Sequence, residues 1–172
     1  MAKAPTQVIG KRMAIVAWLA GMFVLTRLFG DWETKQHSPN KDPSSTVTQE
    51  EIIVQLLQNR QGHYRVEGKI NGRNADLMID TGATDVVIPK ALANDFQLPS
   101  EGQSIGLTAN GYVDLERTTI KALSIGQITL YNVRASINPG MAKDQPILLG
   151  MSALSQLELK QRQGVLTIVQ HN

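Results

Sequence analysis

The longest apolar stretch lies near the start of the chain. Met13 to Thr26, MAIVAWLAGMFVLT, carries no charge, and Leu28, Phe29 and Gly30 extend it past Arg27. A bilayer core calls for about 20 apolar residues in a helix. An arginine near the end of such a span can snorkel to the interface, so residues 13–30 predict a transmembrane signal anchor. Lys3, Lys11 and Arg12 precede it, and the positive-inside tendency then keeps residues 1–12 in the cytoplasm and exports the chain beyond the span. A cleaved signal peptide, a core helix and a peripheral amphipathic segment are the alternatives. No small-x-small cleavage site comes after the run, which weighs against the first. Residues 31–46, DWETKQHSPNKDPSST, are polar with two prolines. They predict an extended linker with a root-mean-square span on the order of 20 Å.

From residue 47 onward the pattern changes to short runs rich in β-branched and aromatic residues, separated by turn signals. Ile52–Gln58 predicts a strand, although Thr48 followed by Glu51 also has the form of a helix capping box. Tyr64–Ile70 runs into Asn71-Gly72, a strong hairpin signal, and Ala75–Ile79 returns from it. Val86–Ile88 stops at Pro89. Ile105–Thr108 leads to a second tip at Asn110-Gly111, with Tyr112–Ile120 returning. Gly126 turns a third hairpin between Ala122–Ile125 and Ile128–Ile137. Ile147-Leu148-Leu149 precedes Gly150, a short helical stretch around Ser152–Leu157, and a last strand at Val165–Val169. Many short strands at this spacing predict a small all-β barrel or sandwich over residues 47–172.

Hydrophobic residues make up 42% of the chain and charged residues 19%, enough apolar material for a core. The net charge is only +2, and residues 1–46 hold six Lys or Arg against three Asp or Glu. The basic excess therefore belongs to the N-terminal segment, and the globular part lacks the footprint of a nucleic-acid binder. With no cysteine, disulfides, thiolate metal sites and a cysteine nucleophile are excluded together.

One segment carries chemistry. In Leu77-Met78-Ile79-Asp80-Thr81-Gly82-Ala83 an acid follows an apolar strand and precedes a glycine turn. A carboxylate so placed is held rigidly beside the turn amides, Gly82 admits another chain closely, and the Thr81 hydroxyl is free to bond across to a partner loop. Alone, Asp-Thr/Ser-Gly occurs by chance in roughly one chain in fifteen of this length, and the plain alternative is a turn aspartate capping local amides.

The wider arrangement resembles the retropepsin clan, which includes the retroviral proteases, and most of all its bacterial membrane-anchored branch with an Asp-Thr-Gly-Ala motif. The resemblance runs from Tyr64 to Val169 through the Asn71-Gly72 hairpin, the Asp80–Thr84 loop, the Thr108–Gly111 hairpin and Leu148-Leu149-Gly150 before a helix. It implies a small closed barrel with a flap hairpin and one short helix. It also implies that Asp80 is catalytic, that Thr81, Gly82 and Ala83 support it, that Leu149 and Gly150 pack beside the catalytic loop, and that Ala109, Asn110, Gly111 and Tyr112 form the flap. Two departures stand out. Retroviral enzymes usually have an acid at the position of Thr84 and an arginine at that of Met151, and pair them. Losing both together leaves no unpaired buried charge. Asp85 reads as a loop or subsite residue.

The mechanism implied uses two carboxylates sharing a proton. The chain has one such motif and too few residues for two lobes, so a two-fold homodimer with one Asp80 from each copy is expected, acting on an extended peptide. A non-catalytic dimeric peptide-binding or assembly module is the alternative. Gly150-Met151-Ser152-Ala153-Leu154 fails as a nucleophile elbow at its last position. His37, His63 and His171 are scattered and predict no metal site, no cofactor is expected, and Tyr112 is either a flap tyrosine or a packed strand residue. Together these readings predict an aspartic endopeptidase anchored in a bacterial inner membrane and facing the periplasm.

Overall fold

A computed structural model describes residues 5–108 and 111–171. The chain divides into two compact units between His37 and Ser38.

The first unit is one α-helix, α1 (Pro5–His37). Its segment Met13–Gly30 is long and apolar enough to cross a membrane, judged by length and composition. The Thr26 hydroxyl donates back to the carbonyls of Met22 and Phe23, both at 2.9 Å, so it needs no outside partner. The Arg27 guanidinium stacks 5.2 Å from the Phe23 ring centroid.

The helix outruns the expected linker boundary at residue 31. The sequence DWETKQH contains no glycine or proline and tolerates helix, whereas Pro39 biases the residue before it away from helical dihedrals. The rest of the expected linker is structured too. Asn40 forms a parallel bridge to Val66, and Ser44–Val47 is strand β1.

The second unit contains β2 (Glu51–Leu57), β3 (Arg65–Ile70), β4 (Arg73–Ile79), β5 (Val86–Pro89), α2 (Lys90–Ala93), β6 (Gln103–Thr108), β7 (Gly111–Ile125), β8 (Ile128–Asn138), β9 (Ile147–Leu149), α3 (Met151–Leu154), β10 (Glu158–Arg162) and β11 (Val165–His171). One sheet runs β3-β4-β9-β5-β8-β7-β6. Because β7 also pairs with β3, through Lys69↔Ser124 and Ile70↔Leu123, the first six of these strands close into a barrel and β6 projects from it. The predicted closed all-β barrel is thus present, and the two strands expected at Tyr112–Ile120 and Ala122–Ile125 are one 15-residue strand. Leu77, Ile88, Ile120, Leu123, Ile147 and Leu149 are fully buried inside, each stabilising the fold by roughly 1.5 to 3 kcal/mol.

The remaining strands form a second sheet, β1-β2-β11-β10. Thr48, a candidate helix cap, instead closes the β1–β2 turn: its hydroxyl accepts from the Glu51 amide (3.0 Å) and donates to the Glu51 carbonyl (3.0 Å). Asn71 and Gly72 both have positive φ, 49° and 81°, as the predicted type I′ hairpin requires.

Asn40 joins the two sheets. It is 4% exposed. Its side-chain amide donates to the carbonyls of Leu57 in β2 (2.9 Å) and Arg65 in β3 (2.7 Å), and its side-chain oxygen accepts from the Leu57 amide (2.6 Å). Its own carbonyl accepts from Glu67 (3.1 Å). Replacing it by alanine strands three backbone groups. Asn40→Ala is expected to lower unfolding free energy by about 2 to 4 kcal/mol, measured by urea denaturation, while an exposed neighbour such as Lys41→Ala changes it by less than about 0.5 kcal/mol.

Candidate active site

The site begins where two parallel strands end side by side. β4 and β9 pair in parallel, Ile79 opposite Leu149, so Asp80 and Gly150 leave the barrel together. The Asp80 amide donates to the Leu149 carbonyl at 3.1 Å, fixing the backbone that carries the carboxylate. Beyond it, Met151 N–H donates to the Ala83 carbonyl (2.8 Å) and Ser152 N–H to that of Thr84 (2.9 Å). The 80–85 loop and the start of α3 are therefore tied backbone to backbone.

Only glycine fits at position 150. A Cβ there would stand 2.1 Å from the Asp85 carbonyl oxygen, 2.6 Å from its carbon and 2.7 Å from the Ala83 oxygen. All three are backbone atoms with no rotamer to give.

Within the loop, Asp80 Oδ1 accepts from the Gly82 amide at 3.0 Å and the Asp80 carbonyl accepts from the Ala83 amide at 3.2 Å. Leu149 is fully buried. Asp80, Gly82, Ala83 and Asp85 line one side of a groove of about 710 Å³. Its other walls are Ser104 to Gly106 of β6, Val113, Leu115 and Arg117 of β7, and Arg134, Ser136 and Asn138 of β8. The β6–β7 hairpin and the loop thus border the same groove. Thr81 is exposed and outside the groove lining.

Of the four residues assigned to the flap, Ala109 and Asn110 lie outside the described residues. Gly111 has φ 105°, which favours glycine. Tyr112 is 82% exposed and does not line the groove, whereas Val113 and Leu115 do. The hairpin is steadied at its base, where Lys90 Nζ lies 2.5 Å from Glu116 Oε1. That hydrogen bond holds the Glu116 carboxyl below the ordinary carboxylate range, with desolvation opposing it and Ser100 adding to it. A depressed carboxyl value stabilises the fold above the usual range and loses that contribution as pH falls through the lowered value.

Thr84 and Met151 form no ion pair, and charge gathers one residue further along. Asp85 Oδ1 takes Arg134 Nε at 2.7 Å, and the Ser136 hydroxyl donates to Asp85 Oδ2 at 3.2 Å. Asp85 is thereby both a loop and a groove residue. Sequence reasoning missed Arg117, Arg134 and Ser136. The available signal was the polar alternation Arg134-x-Ser136-x-Asn138 at the end of β8. It also missed Ser152, whose hydroxyl accepts from Val86 N–H (3.1 Å) and donates to the Arg134 carbonyl (2.7 Å). His171 lies 3.2 Å from Glu158, away from the groove, and among the described residues no cluster is placed to hold a metal.

A closed barrel with its acid loop wedged against a glycine after an adjacent parallel strand is a retropepsin-like fold. The structure is similar to the crystal structure of a retropepsin-like aspartic protease from Rickettsia conorii, with 24% identity, a TM-score of 0.57, and coverage of 76% of this chain and 95% of that one. Residues 66–156 match the family described as "gag-polyprotein putative aspartyl protease", and the chain belongs to that family. It is also 31% identical over 116 residues to a Sinorhizobium protein described as "Uncharacterized protein in cobV 5'region"; the match takes in 66% of this chain and spans about half, 48%, of the relative.

The glycine wedge gives a direct expectation. Gly150→Ala should separate the 80–85 loop from β9 and α3 and lower the melting temperature by at least about 5 °C. Ser155→Ala, at an exposed position just after α3, should change unfolding free energy by less than about 0.5 kcal/mol. Paired thermal and urea unfolding of the two variants checks this.

Proposed function

We propose that the chain is a membrane-anchored homodimeric aspartic endopeptidase of the bacterial Asp-Thr-Gly-Ala branch, with Asp80 as the one catalytic carboxylate of each subunit. The observation that carries this reading is the placement of Asp80: its backbone is fixed by Leu149, its side chain is oriented by the Gly82 amide, and it lines a groove. Thr81 and Gly82 support the loop. The residues assigned to the flap, Ala109, Asn110, Gly111 and Tyr112, cover the substrate.

In the dimer one Asp80 is ionised and its copy protonated. The ionised carboxylate takes a proton from water as the water oxygen bonds to the scissile carbonyl carbon. The protonated one donates to the carbonyl oxygen. Collapse of the tetrahedral species breaks the C–N bond and returns a proton to the leaving amine, giving a carboxylic acid and an amine. The peptide lies extended in the groove, hydrogen-bonding like an added strand.

The reading is tested by incubating the full-length protein, solubilised in detergent, with a diverse peptide pool and mapping the cuts by mass spectrometry. Asp80→Ala is expected to reduce cleavage by on the order of a thousandfold or more with its unfolding curve preserved. Activity within tenfold of wild type excludes Asp80 as the nucleophile-activating group, and a verified wild-type dimer that cuts nothing favours the non-catalytic module. Asp80→Asn removes the repulsion between two facing carboxylates while keeping their shape, so sedimentation should find its dimer tighter than wild type near neutral pH. Equal dissociation constants would mean that the two aspartates do not face each other.

The apolar helix supports an uncleaved anchor with residues 1–12 cytoplasmic and the protease domain in the periplasm, the bilayer being its second partner. A reporter that works only after export should be active when fused after Asn172, and the protein should stay with membranes through a carbonate wash. Full-length protein recovered from the soluble cytoplasm would rule the anchor out.

A further inference from the structure

Two arginines and two aspartates line the groove, and among the described residues one of the arginines has no carboxylate partner. Arg117 on β7 lies directly opposite Ser136 on β8, and Arg134 is two residues from Ser136 along the same strand. All three line the groove, so the two arginines are diagonal neighbours on one sheet face, with Cβ atoms about 7 to 8 Å apart. Asp85 is the one acid that engages either of them, through Arg134 Nε. Among the described residues Arg117 forms no ion pair, and the two Nη groups of Arg134 make no hydrogen bond.

Of the groove's two acids, Asp85 holds Arg134 and Asp80 accepts from the Gly82 amide, and the acids just outside it are engaged elsewhere. Glu101 accepts from the Thr119 hydroxyl at 2.9 Å and Glu116 from Lys90, and neither lines the groove. The Arg134 side chain is 66% exposed, and Asp85, 22% exposed and held by Ser136, engages its Nε and leaves both Nη groups available. A guanidinium fork pre-organised in this way matches the two oxygens of a carboxylate.

We propose that Arg117 and Arg134 form an anion-reading subsite, so that the enzyme selects peptides with an acidic side chain at a position to one side of the scissile bond. This rests on the reading that the groove takes an extended peptide for cleavage at Asp80. Asp85 and Ser136 are positioning residues that aim Arg134. Val113 and Leu115, on the same face of β7 as Arg117, give the neighbouring substrate side chain an apolar contact. By the two-fold symmetry of the dimer the same preference appears on the other side of the cut.

The test uses full-length protein in detergent and matched peptides that differ only by Glu or Gln, scanned across five positions on each side of a mapped cut. At one or two positions Glu should raise kcat/KM about tenfold over Gln, chiefly through KM, and added salt should shrink the ratio. Arg117→Gln combined with Arg134→Gln should bring the ratio towards one, and Arg117→Glu should turn the preference towards Lys. Equal rates for Glu and Gln at every position, or a preference untouched in the double variant, overturns the proposal. If no peptide is cut, the assignment of Asp80 fails instead, and the subsite is then judged by binding. Fluorescent Glu and Gln peptides are titrated onto Asp80→Asn, where tighter binding of the acidic peptide supports the subsite and equal affinity overturns it.

Discussion

The site depends on a contact between backbones that no side chain could make. Gly150 lies so close to the Ala83 and Asp85 carbonyls that even a methyl group would collide with them. That closeness lets Asp80 bond to Leu149, Met151 to Ala83 and Ser152 to Thr84. A carboxylate held in this way inherits the stiffness of the barrel. Strand β9 lies between β4 and β5, and its neighbours are closed into a ring, so the loop cannot drift without opening the sheet. Pre-organisation of this kind needs no dedicated side chain beyond the acid itself.

Much of the barrel was legible in the sequence because its strands alternate and its turns use residues with a single conformational meaning. Asn71-Gly72 and Gly126 fell where the backbone has positive φ. Strand β10 was not legible, since Leu159 is the one apolar residue in Glu158-Leu159-Lys160-Gln161-Arg162, and its Gln163-Gly164 turn, with φ 49° and 78°, is a weaker hairpin signal than Asn-Gly. The end of α1 was missed for the opposite reason: polar residues without glycine or proline read as linker but remain compatible with helix. At the candidate site, Asp80 was visible as a motif, whereas Arg117, Arg134 and Ser136 come together only through the β7–β8 register. Long-range pairing of that kind leaves little trace in local pattern.

The ionic layout shifts with the two departures from the retroviral pattern. Thr84 and Met151 leave the junction of loop and helix neutral, held instead by main-chain bonds and by Ser152. The charge that appears next to it, Asp85 with Arg134, faces the groove. An ion pair that braces a fold and one that faces a ligand meet different solvents. The first is expensive to desolvate, and the second stays partly hydrated until something displaces its water.

Asn40 also settles where the domain begins in physical terms. Because it stitches β2 to β3, the segment just after α1 is part of the folded body, not a lead into it. A proteolytic cut between the two units would therefore leave the second intact only if it fell before Asn40. A cut within residues 41–43 would carry Asn40 away and bare the Leu57 and Arg65 carbonyls, and a cut after β1 would also turn β2 into a raw sheet edge open to pairing with any passing strand.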